Sequence, residues 1–121
     1  MTTDQDLITG RMLIGGAFVE SQSGNWRDTI NPATEELIGR VPEGSAADVE
    51  AAYEAAAAAQ PAWTALDMAE RADYLNRLGD AIAARTQDLA RLEAIDTGNT
   101  IGKMVADVEK AVERIRLAAG L

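Results

Sequence analysis

The chain reads as an α+β fold, with a short antiparallel strand region at its N-terminus followed by three to four helices. Three observations predict it. Ile14 to Glu20 and Trp26 to Thr34 carry apolar residues at a strand's period of two, with turn-forming Ser21 to Asn25 between them. A further extended run, Leu37 to Val41, lies between the Asn31-Pro32 corner and Pro42. From Ser45 onward, apolar residues recur at helical spacing behind side chains suited to helix caps.

The three extended runs predict a β-hairpin, a hard corner and a small three-stranded antiparallel sheet. Ser45-Ala46-Ala47-Asp48 is a capping-box pattern with Asp in place of Glu, so a helix begins there, with Val49, Ala52, Tyr53 and Ala56 as its stripe. The Ala55 to Ala59 run lets a neighbouring backbone come close, and Pro61 is expected to end or bend the helix. Trp63 and Leu66 then pin the connection to the core; a stacking platform is the other reading of Trp63.

Asp67 and Glu70 repeat the cap logic for a second helix, with Tyr74, Leu75, Leu78 and Ile82 on its apolar face and Gly79 marking close packing or a weakness. Thr86 is expected to recap the chain for a turn set bearing Leu89, Leu92 and Ile95. Gly98 suits a left-handed C-terminal residue, and Thr100 a cap for the final helix, whose stripe is Ile101, Val105, Val108, Val112 and Ile115.

Composition narrows the function classes. The 121 residues are 47% apolar, one compact domain's worth, but much of that is Ala, which brings little area to a core. With 20 acids against 11 bases the net charge is −9, and no basic stripe interleaves with aromatics, so nucleic acid is not an expected partner. Cys and His are both absent, which removes disulfides, thiolate nucleophiles, imidazole bases and the usual zinc sites. Residues 1–10 have no signal-like pattern and read as a flexible N-terminus. No run suits a membrane span, and a cytoplasmic location is expected.

The pieces also form an ordered pattern. Ile14-Gly15-Gly16, Ile30-Asn31-Pro32-Ala33-Thr34, Ile38-Gly39-Arg40-Val41-Pro42, Ala62-Trp63, Ala69-Glu70-Arg71 and Leu92 to Gly98 occur in that sequence. Together they resemble the N-terminal segment of the NAD(P)-dependent aldehyde dehydrogenases, over nearly the whole chain after Thr9. The resemblance implies that residues 1–121 are a partial domain, the outer part of a Rossmann-like cofactor-binding domain in an α/β parent. In that family a cysteine thiolate attacks an aldehyde, hydride passes to NAD or NADP, and the thioester is hydrolysed to the carboxylate. The cofactor loop, the glutamate base and the cysteine all lie downstream in the family's order. The chain alone is therefore expected to be inactive, to bind no cofactor and to hold no catalytic residue.

The resemblance carries one site. Some members bind a monovalent cation, K⁺ or Na⁺, through backbone carbonyls before the Asn-Pro step and the carboxylate of the Asp-Thr-Gly turn, which match Thr29, Ile30 and Asp96. Oxygen ligands of this kind suit a hard cation of low charge. In the alternative reading Asp96 accepts hydrogen bonds at a helix end. A departure follows directly, since Asn99-Thr100 stands where the family commonly has Lys-Pro.

Two other readings compete. One is a free-standing helical interaction module that docks a partner on the Ile101 to Ile115 stripe. The other is an enzyme using Glu93 and Asp96, which sit at ordinary helix-surface spacing. The expected partner is the remainder of a parent polypeptide, or another chain covering the last helix. The isolated chain is accordingly expected to self-associate, or to be loosely packed and largely helical, in analytical ultracentrifugation and thermal melting. A monomer with a sharp cooperative transition would contradict this.

Overall fold

The structure, a computed structural model, describes residues 7–120. Its elements are strands β1 (Ile8–Thr9), β2 (Met12–Ile14), β3 (Ala17–Val19), β4 (Trp26–Ile30) and β5 (Leu37–Pro42), then helices α1 (Ala46–Ala65), α2 (Met68–Ala83), α3 (Thr86–Thr97) and α4 (Ile101–Ala119). They fall into two compact units, one ending at Ala62 and the other beginning at Trp63. The α+β class and its antiparallel hairpins are as expected, but the strands pair differently.

The first extended run is not one strand. Gly15 and Gly16 both take positive φ, 60° and 81°, and close a two-residue hairpin in which β2 pairs only with β3. The second sheet has the order β1-β5-β4, with β4 antiparallel to β5 and β1 parallel to it. The three-stranded sheet therefore takes its third strand from residues 8–9, upstream of the run that periodicity selected. Of the N-terminal stretch expected to be flexible, residues 1–6 lie outside the described residues, and Leu7 to Gly10 form β1 and its flanks.

Helix α1 starts as expected, with the Ser45 hydroxyl accepting from the Asp48 N–H at 3.3 Å while the Asp48 carboxylate accepts from the Ser45 N–H at 2.7 Å. Pro61 does not end it. The helix continues one turn further to Ala65, and Trp63, within that turn rather than in a connection, packs edge-to-face on Tyr74 with ring centroids 5.6 Å apart. The intended stripe of α1 is not buried either: Val49 and Tyr53 are 68% and 69% exposed.

In the second unit, Asp67 and Glu70 form the full capping box of α2. Gly98 ends α3 at φ 75°. Two expected caps differ. Arg85 holds the N-cap position of α3, because the Thr86 hydroxyl instead donates to the Ala83 carbonyl at 2.9 Å. Thr100 holds that of α4, but its hydroxyl makes no capping hydrogen bond.

Helix α4 packs on both α2 and α3, which supplies the partner that periodicity alone left open. Val112 is 6% exposed, Ala90 of α3 is fully buried, and Met104, outside the expected stripe, is 2% exposed, whereas Ile101 is half exposed. A Cβ at Gly79 would meet the Arg116 stem at 3.6 Å and Ile115 at 3.8 Å, so the glycine marks a close approach of α2 and α4. Asp80 and Arg116 pair across the same contact at 2.8 Å. Met104 is the most deeply buried side chain of α4 in this seam. Met104→Ala should cost about 2–5 kcal/mol in urea unfolding, read as a lower midpoint with an unchanged slope.

Candidate functional site

The cation ligands suggested by the sequence sit at two chain reversals. Thr29 and Ile30 end β4, where the register slips: Thr29 faces Gly39 but Ile30 faces Leu37, leaving Ile38 as the extra residue of a β-bulge. A bulge interrupts the regular ladder, so main-chain groups at this strand end are not all committed to cross-strand pairing. The turn beyond is held by Asn31. Its N–H donates to the Glu36 carbonyl at 2.9 Å, its carbonyl accepts from the Glu35 N–H at 2.8 Å, and its side-chain oxygen accepts from the Ala33 N–H at 2.9 Å.

Asp96 lies one residue before the end of α3, exposed on the last turn. The neighbouring Thr97 hydroxyl donates back to the Glu93 carbonyl at 2.7 Å, and the Asn99 amide donates to Thr97, so the turn is tied without the Asp96 carboxylate. Among the described residues that carboxylate accepts no hydrogen bond and meets no cationic side chain within ion-pair distance. The alternative reading of Asp96 as a hydrogen-bond acceptor at the helix end is therefore not met within these residues. A negative charge at a helix C-terminus faces the negative end of the helix dipole, an arrangement that a cation relieves. Thr29 and Ile30 belong to the first unit and Asp96 to the second.

Glu93 and Asp96 form no acid pair with a third ligand. Among the described residues no three acids gather as a metal-binding group, and no helix is long and apolar enough to cross a membrane.

A carboxylate that the sequence placed only as a helix cap proves to be heavily bonded. Asp48 is 4% exposed, and its carboxylate accepts from the Ser21 hydroxyl at 2.6 Å, the Gln22 N–H at 3.0 Å, the Ser45 N–H and the Ser45 hydroxyl at 2.8 Å. The Ser21 hydroxyl above all, then the Gln22 and Ser45 N–H groups, hold its pKa well below the usual carboxylate range. Ser45-x-x-Asp48 was visible in the sequence; Ser21, 27 residues upstream, carries no local signal.

Known proteins bear on most of the chain. The model of the aldehyde dehydrogenase family matches residues 18–121. The chain belongs to the aldehyde dehydrogenase family. A rat mitochondrial methylmalonate-semialdehyde/malonate-semialdehyde dehydrogenase, of the acylating type, is 35% identical over 93% of this chain and 21% of its own length. An NAD-dependent aldehyde dehydrogenase from Sinorhizobium meliloti superposes with a TM-score of 0.90 at 32% identity, covering 94% of this chain and 23% of that one. A betaine aldehyde dehydrogenase from Staphylococcus aureus, determined as a point mutant in complex with NAD+, gives 0.88 at 36% identity over 92% and 23%. The chain thus spans between a fifth and a quarter of these relatives, and is an N-terminal portion of the family's architecture.

Because the Asp48 carboxylate is held below the unfolded carboxylate value of about 3.9, it favours the native state above that pH, and the contribution is lost as pH falls through and below it. Asp48→Asn should speed amide hydrogen exchange at Gln22 and Ser45 at neutral pH, and in the unaltered chain acid should lower the protection of the same two amides relative to their intrinsic exchange rate at that pH.

Proposed function

We propose that this chain is the part of an NAD(P)-dependent aldehyde dehydrogenase that packs outside the cofactor-binding sheet and contributes structure, not chemistry. What supports the reading is the match over residues 18–121, together with solved relatives described as NAD-dependent. The reaction of the whole enzyme joins a thiolate to the aldehyde carbon, moves a hydride to the nicotinamide, and releases the carboxylate by hydrolysis of the thioester. A chain without Cys offers no thiolate nucleophile, so that group comes from residues outside it.

Its own contribution is a surface. Leu13, Phe18, Val49, Tyr53, Met68 and Leu117 are each more than 60% exposed, more large apolar area than a solvated face needs. The remainder of the parent polypeptide covers it. The competing interaction module has less support, because Met104, Val105, Val108 and Val112 of α4 are buried or half-buried, leaving a broken stripe for a partner.

The cation site belongs to the same reading. As the family resemblance implies, the Thr29 and Ile30 carbonyls at the end of β4 and, separately, the Asp96 carboxylate at the end of α3 are oxygens of the kind that takes K⁺ or Na⁺.

The test uses the complete polypeptide that contains this sequence. It should have a mass several times 12.8 kDa and reduce NAD+ or NADP+ on addition of an aldehyde. Asp96→Ala should abolish the dependence of that activity on potassium concentration. A native product of 12.8 kDa would overturn the enzyme reading, and an unchanged potassium dependence would overturn the cation site alone.

A further inference from the structure

The N-terminal strand β1 is seated by an unusually narrow fit. Ile8 pairs with Gly39 and Thr9 with Arg40 in parallel, and the Gly10 N–H donates to the Arg40 carbonyl at 2.8 Å. Gly39 is buried beneath this segment, and a Cβ there would overlap the Ile8 carbonyl oxygen and stand 3.0 Å from the Ile8 Cβ. The fit is reciprocal, because a Cβ at Gly10 would stand 3.0 Å from a Val41 methyl. Two glycines therefore let the segment and β5 approach each other.

Among the described residues little else holds it. The ladder is two residues long, and Ile8 is 46% exposed. Leu7 and Thr9 form one wall of a hollow of about 400 Å³ whose other lining comes from Asp28, Leu37, Gly39 and Arg40, so the underside of the segment is incompletely filled. By contrast, β4 and β5 share a ladder of five paired positions that does not involve β1. A short segment with few buried apolar contacts, laid on a sheet that is paired without it, belongs to the parts of a protein that open first.

We propose that Leu7–Gly10 is a releasable strap seated in a notch at Gly39, and that its release turns β5 from a central strand into a free edge. While seated, the strap closes the hollow and covers the outer main-chain groups of β5. Once lifted, it exposes both while the β4·β5 hairpin and the helices persist. An uncovered strand edge is a template for pairing, so the strap is also a guard.

Arg11, exposed directly after the strap, provides a protease site that reports the lifted state. Limited trypsin digestion of the complete polypeptide that contains this sequence, with products identified by mass, measures cleavage after Arg11 against cleavage within the helices at Arg77 and Arg91. Gly39→Ala fills the notch, and Gly10→Pro removes the strap N–H that donates to the Arg40 carbonyl while leaving the residues of β5 unchanged. Each should accelerate the Arg11 cut about tenfold, the factor that corresponds to 1.4 kcal/mol in the opening equilibrium, with helix cleavage and helical circular dichroism unchanged. Equal Arg11 rates in all three proteins would overturn the proposal. So would acceleration of the helix cuts in step with the Arg11 cut, because the strap would then open only with the whole fold. Should Gly39→Ala fail to fold, the Gly10→Pro rate decides alone.

Discussion

The first unit depends on one carboxylate. Among its described residues the buried side chains are Ser21 and Asp48, both polar, so a hydrogen-bonded cluster occupies the place where an apolar core would ordinarily sit. Ionised Asp48 can only accept, and the donors it gathers come from the turn after β3 and from the residue before α1. Ser21 passes the connection on, because its hydroxyl also accepts from the Ser23 N–H at 3.1 Å, and the Ser23 hydroxyl donates to the Glu43 carbonyl at 2.9 Å. The start of the helix, the turn before β4 and the exit of β5 are thus fixed by one chain of bonds. A cluster of this kind is specific in geometry and unforgiving of partial loss, since each donor left without its acceptor would be desolvated to no purpose.

The second unit works by different means. Its helices meet through small or flexible side chains, with Gly79 and Ala90 allowing close approach and Met104 filling what remains. Among its described residues no large side chain is completely enclosed. The ion pairs on its surface, Arg77 with Asp73, Arg85 with Asp88 and Lys103 with Asp107, are all well exposed and add little to stability. Both units leave apolar side chains in water, which agrees with a segment whose relatives are four to five times its length.

The helical half was largely readable from sequence because caps and periodicity are local. Asp67 with Glu70, Ser45 with Asp48 and Gly98 each act within a few residues, and each stands where expected. Strand pairing is not local. The Gly15-Gly16 turn split a run that looked continuous, and the parallel partner of β5 came from two residues with no periodic signal. Burial was also misjudged where the periodic face of α1 lacks cover and where Met104 lies one position off the stripe of α4. For the cation site, Asp96 could be named from the Asp-Thr-Gly resemblance, but the bulge beside Thr29 depends on the offset between two strands and is invisible in either one.

The helix starts divide into two kinds, and the division sets where motion begins. Helices α1 and α2 open with reciprocal side-chain bonds at Ser45/Asp48 and Asp67/Glu70, whereas α3 and α4 open at Arg85 and Thr100 with none. First-turn N–H groups without a protein acceptor turn to water, and an end solvated in this way frays on a faster timescale than one clamped on both sides. The later helices therefore have soft beginnings along a chain whose earlier helices are firmly started. Disorder spreading on warming would enter α3 and α4 from their N-terminal turns, and α1 and α2 from the opposite ends.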